Sequence, residues 1–91
     1  MSMIGRNLLF KRDRGADRVK EGAVFRHYGP GQQVETAEVL QINEDFLGIP
    51  HVQFSVRIER PDRGRFEDGP RLLNLQDFID YFSDQVVEAA E

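Results

Sequence analysis

The sequence predicts a mainly β fold with one C-terminal helix, in which four or five antiparallel strands form a strongly bent sheet or a small barrel. Three observations predict it. Short runs rich in β-branched and aromatic residues, bounded by Gly, Pro, Asn and Asp, fill the chain from about Gly22 to Leu75. One of them, HVQFSVRIER from His51 to Arg60, alternates apolar and polar side chains with a period of two. After Asn74 the apolar spacing changes to that of a helix.

The elements follow in order. Residues 1–20 mix Gly5, Gly15 and many charges with little periodicity, so KRDRGADR is read as a basic arm or loop, and residues 21–91 as one β domain. A strand is expected at Gly22–Tyr28, a turn at Gly29–Gln32 and a second strand from Val34 to Ile42. In that second strand Ala37 and Val39 share one phase, and Leu40 and Ile42 the other. A one-residue shift exchanges faces, so the strand either bends through a bulge near Val39 and Leu40 or is covered on both sides. NEDFLGIP, Asn43 to Pro50, is a turn, with Pro50 at the start of the next strand, where its missing donor does little harm. The apolar pair Phe46-Leu47 in that turn is expected to tuck into the core or plug the end of the barrel, with an exposed contact site as the alternative.

The third strand buries Val52, Phe54, Val56 and Ile58 and wets Gln53, Ser55, Arg57 and Glu59. PDRG, Pro61 to Gly64, is a turn. Short strands are then expected around Arg65–Glu67 and Arg71–Leu75, separated by Gly69-Pro70. Asn74 suits a helix cap with Asp77 three positions on, and Leu75, Phe78, Ile79, Phe82 and Val86 recur at helical spacing. The helix stops at Ser83 or continues to Ala90.

Ninety-one residues make one domain, and a chain this short buries only about 60–65% of its unfolded surface. Forty per cent apolar residues, with seven Phe and two Tyr, suffice for so small a core. The absence of cysteine rules out disulfides and thiolate metal sites and fits a reducing, cytoplasmic setting. The opening apolar patch, Leu8 to Phe10, is too short for a signal peptide or a membrane span, so no membrane partner is expected. The net charge of −4 hides an asymmetry: residues 1–20 carry six basic and two acidic groups, and residues 67–91 one basic and seven acidic. Such polarity either steers a partner or keeps two solvated segments soluble, and it leaves a monomer or weak homodimer as the expected state.

The stretch VKEGAVFRHYGPGQQVETAEVLQINED, Val19 to Asp45, resembles the opening two strands of small SH3-like barrels of the KOW or Tudor type. The resemblance rests on Gly22 before an apolar strand, Gly29 and Gly31 in the turn, and Ala37 two residues before Val39. RLLNLQDFIDYF looks like the strand and helical turn that close such barrels, and the whole chain is similar to small bacterial proteins that carry no assigned activity. The resemblance implies an SH3-like barrel and a binding role.

The residues offer little chemistry for catalysis: two His, three Ser, one Thr and no Cys. His27 and His51 come together if the first and third strands are neighbours, and Glu35 or Glu38 then adds a carboxylate to a small metal or ligand site. The spacing matches no metal motif, so no enzyme activity and no cofactor are expected. GPGQ lies between two strands and lacks a following Lys, so it reads as a plain turn and not as an anion cradle. Protein binding leads, through aromatic side chains at the barrel loops: Phe25, Tyr28, Phe46 and Phe66 are the peptide-binding candidates. Nucleic-acid binding is the alternative, through Arg6, Lys11, Arg12, Arg14, Arg18 and Lys20.

Overall fold

The alternation of HVQFSVRIER becomes the middle of a sheet. The structure, a computed structural model, describes residues 16–86. Its elements are β1 (Val24–Tyr28), a 3-10 turn (Pro30–Gln32), β2 (Val34–Glu44), β3 (Pro50–Arg60), β4 (Gly64–Asn74), α1 (Leu75–Tyr81) and β5 (Asp84–Val86). The five strands form one open sheet in the order β4-β3-β2-β1-β5, with every neighbouring pair antiparallel.

One face of this sheet, here the inner face, carries the core. Val52, Phe54, Val56 and Ile58 of β3 are all buried, as the period of two requires. Phe25 of β1 and Ala37 and Val39 of β2 lie beside them. α1 closes over this face: the Phe78 ring stands 5.5 Å from Phe25, 5.1 Å from Phe54 and 5.0 Å from Phe82. Burying each of these rings stabilises the fold by about 1.5–3 kcal/mol, so the aromatic cluster is the main link between helix and sheet.

Two irregularities bend the sheet. In β2 the register against β3 shifts between Val39 and Gln41, leaving Leu40 as the extra residue, exposed to solvent. Of the two expectations for this strand, the bulge is the one realised, and it returns Ile42 to the core side. In β4 the two short strands expected on either side of Gly69-Pro70 are one eleven-residue strand whose register shifts opposite Phe54–Val56. Gly69 sits there at φ +126°, where a Cβ would lie 3.1 Å from Ser55 Cα and 3.3 Å from the Phe54 carbonyl oxygen. Only glycine lets the strand pass that close.

The Asn74 side chain accepts a hydrogen bond from the Asp77 N–H at 2.8 Å and so caps α1. The helix ends at Tyr81, and residues 84–86 pair with β1, Val86 opposite Val24. The longer ending is thereby corrected: Val86 follows Phe82 at helical spacing yet belongs to a strand. Among the described residues there are five strands, but the fifth is β5 and not the separate Arg71–Leu75 segment.

The end of the basic arm also differs from a loop, with helical backbone at residues 16–18 and Val19 buried in the core. Hydrogen bonds from Gly22 N to Val39 O, 2.8 Å, and from Val39 N to Ala23 O, 2.9 Å, tie the following turn to β2. No helix among the described residues is long and apolar enough to cross a membrane.

Candidate functional site

The four aromatic candidates do not share a groove. Phe25 is corrected to a core residue, buried against Phe78 and closed to any peptide. Tyr28 is exposed on the outer face at the end of β1, while Phe66 is exposed on the inner side of β4 under the Arg60 guanidinium, 5.6 Å from its ring centre. Phe46 lies at the opposite end of the strands, in the β2–β3 turn. His27 and His51 do not meet either. β2 separates β1 from β3, and the two histidines stand in register with Glu35 and Asn43 at opposite ends of it. The metal reading at these residues is therefore corrected, and among the described residues no group of three His, Asp or Glu side chains is placed to hold a metal ion. Of the basic candidates, Arg18 and Lys20 are exposed, whereas Arg6, Lys11, Arg12 and Arg14 lie outside the described residues.

The β2–β3 turn is built to display its apolar pair. Asp45 Oδ1 accepts from Leu47 N at 2.8 Å and Ile49 N at 3.0 Å, and its backbone closes the loop through Asp45 N to Ile49 O and Gly48 N to Asp45 O. The bond from Ile49, then those from Leu47 and Gly48 and the charge of His51, hold the Asp45 carboxyl below the usual range. In this fixed frame Phe46 is 95% exposed and Leu47 68%, with Ile49 exposed beside them. The expectation that the pair would tuck into the core is overturned. α1 and the β3 side chains already fill the space under the sheet, and the tight turn projects residues 46 and 47 away from it.

At the other end, the Gly-Pro-Gly turn is pinned by a side-chain network. His27 Nδ1 donates to the Tyr81 carbonyl at 3.0 Å, and the two rings stack 3.9 Å apart. Tyr81 Oη donates to Glu35 Oε2 at 2.9 Å, Gln33 Nε2 donates to the same oxygen at 3.0 Å, and Arg60 Nε donates to Gln33 Oε1 at 2.8 Å. Partial burial, and then the bond to Glu35, push the Tyr81 hydroxyl above its ordinary pKa. These groups satisfy one another, and the network joins β1, β2, β3 and α1 around the turn.

The outer face carries a row that does not satisfy itself. Register aligns one residue from each strand: Asp84, Arg26, Thr36, Arg57 and Glu67. Side chains alternate along a strand, so these point away from the core face that holds Phe25, Ala37 and Val56. Thr36 is only 7% exposed, yet its hydroxyl is buried with no hydrogen-bond partner among the described residues, as are Arg26 Nε and Arg57 Nε. Such groups are bonded in the great majority of cases, and leaving one unmade costs about 1–3 kcal/mol. Among the described residues neither arginine forms an ion pair.

A cavity of about 460 Å³ opens over this row between Thr36, Leu40, Arg57 and Pro70, and a second of about 550 Å³ lies over Val24, Arg26 and Gln85. The two share Val24, Thr36 and Arg57, so the groove crosses the sheet.

Sequence reasoning passed over this row because it exists only through the registers of four strand pairs. It has two local signals: Arg57 occupies a polar phase of β3, and Thr36 is the one threonine of the chain. Comparison with protein-family models, with curated proteins and with solved structures finds no match to this chain.

Proposed function

We propose that the chain is a non-catalytic protein-interaction module on a small SH3-like barrel scaffold. Two features support the scaffold reading: the strand order, with β5 returning to β1, and the bulges in β2 and β4, which supply the bending that curls a short sheet toward closure. The observation that carries the binding role is the rigid β2–β3 turn, which holds Phe46 and Leu47 in solvent at 95% and 68% exposure. An apolar pair in water is a standing cost, and burying it in a partner's pocket gains about 1.5–3 kcal/mol per side chain. The Asp45 bonds keep the turn in shape beforehand, so little order is lost on binding.

The test places p-benzoylphenylalanine at position 46 or 47 and irradiates cells that naturally make the protein. A discrete protein adduct, lost when the neighbouring apolar residue is changed to Ser, is the expected result. Adducts to RNA or DNA, or none from either position while the chain is folded, contradict the reading.

A further inference from the structure

The transverse row on the outer face lies on the opposite surface from the core and away from the β2–β3 turn, and it has the makings of a receptor. We propose that Arg26, Thr36 and Arg57 bind one carboxylate side chain of a partner protein, carried on a segment whose neighbouring residues are apolar.

Three observations carry this. The first is the set of unmade bonds: Thr36 Oγ1, Arg26 Nε and Arg57 Nε are buried, lie in one row on three adjacent strands, and lack partners among the described residues. A single carboxylate offers two oxygens with about four acceptor sites, enough to meet a hydroxyl and two guanidinium groups at once.

The second is spacing. Strand neighbours lie about 4.8 Å apart, so the arginines flank Thr36 with their backbones roughly 10 Å from each other, and long side chains from both sides reach an anion above the hydroxyl. Two like charges so placed repel until an anion sits between them.

The third is the surround. Asp84 and Glu67 end the row, and Glu38 lines the groove beside it. Asp68 lines the groove too, paired with Arg71, so a polyanion meets repulsion along its whole length, whereas one carboxylate over Thr36 has the two flanking arginines as its nearest charges. Val24, Leu40 and Pro70 line the same groove and offer apolar contact on its flanks. The chemistry selected is a lone acidic residue in an apolar sequence, not a phosphate backbone.

This site stands apart from the Phe46 turn, and each can fail without the other. The test titrates the 15N-labelled full chain with acetyl-Leu-Glu-Leu-amide into the millimolar range, following the arginine Nε–Hε signals and the Thr36 amide. Saturable shifts at Arg26, Arg57 and Thr36 are expected, weakened about tenfold by Arg57→Gln or by Gln in place of the peptide's Glu. Thr36→Val keeps the side-chain shape and should weaken binding several-fold without lowering the urea midpoint, because the hydroxyl it removes is unpartnered in the free protein. Phe46→Ala should leave the titration unchanged. Equal binding of the Gln peptide overturns the proposal, and so does tighter binding of inorganic phosphate or of a ten-nucleotide RNA. A loss of stability in Thr36→Val also overturns it, since the hydroxyl would then be bonded within the chain.

Discussion

Gly69→Ala should be among the most damaging single-methyl additions in this protein. Two separate costs meet at that position. The backbone stands at φ +126°, outside the region open to L side chains, which costs about 1–3 kcal/mol for a residue with a Cβ. The new methyl would also lie 3.1 Å from Ser55 Cα and 3.3 Å from the Phe54 carbonyl oxygen, both backbone atoms of the central strand. Forcing extra volume against a packed neighbour adds about 1–3 kcal/mol. The sum, about 2–6 kcal/mol, is a large share of the roughly 5–14 kcal/mol available to a domain of this size.

Gly48→Ala is the control. It too has a left-handed backbone, φ +82°, but an added Cβ there meets nothing within 4 Å, so the conformational cost of about 1–2 kcal/mol stands alone. Urea unfolding followed by circular dichroism measures both variants. With a slope of about 1 kcal/mol per molar, the Gly69→Ala midpoint should lie about 1 M or more below that of Gly48→Ala. Equal midpoints would show that β4 does not press on β3 at the bulge, and the described geometry of the groove would be wrong.

Three further outcomes follow from the same structure. Phe78→Ala empties the centre of the aromatic cluster and should cost about 3–5 kcal/mol in urea unfolding, with Phe78→Leu losing much less. Because Tyr81 has a folded pKa above its unfolded value of about 10, its contribution is complete below pH 10 and is lost as pH rises through the folded value. Thermal melts between pH 9 and 11.5 should therefore decline more steeply for the native chain than for Tyr81→Phe. Asp45 has the opposite sign, with a folded pKa below 3.8, so its support of the β2–β3 turn is present above that value and fades as pH falls through the folded one. The Leu47 and Ile49 amide signals should be sharp and slow to exchange at pH 6 and should broaden between pH 4 and 2, and Asp45→Asn should show no such acid transition.

What could be read before the structure was known depends on how local the cause is. β3 is written in the phase of neighbouring side chains and is legible from a few consecutive residues, and so is the phase break at Val39–Leu40, which left a bulge and a strand covered on both sides as alternatives. The Asn74 cap is likewise a three-residue matter. β5 left no such trace: three residues are too few for a period, and Val86 continued the helical spacing of Phe82. The unity of β4 was hidden by Gly69-Pro70, a pair that breaks most strands and here forms a bulge. Phe46 and Leu47 were misjudged because whether an apolar pair is buried depends on whether the core has space left, which no local window records. The Arg26–Thr36–Arg57 row is the extreme case, three unremarkable residues made neighbours by pairings between distant strands.

β4 closes one side of the sheet with eleven residues and no further strand beyond it among those described, which makes it the longer of two open edges and the greater exposure to uncontrolled self-association. Arg65, Glu67, Asp68 and Arg71 crowd its length with charge, and Pro70 withholds one backbone donor from any chain that approaches. These residues act as guards. A variant that swapped them for alanine or valine would leave an edge that stacks on its own copies.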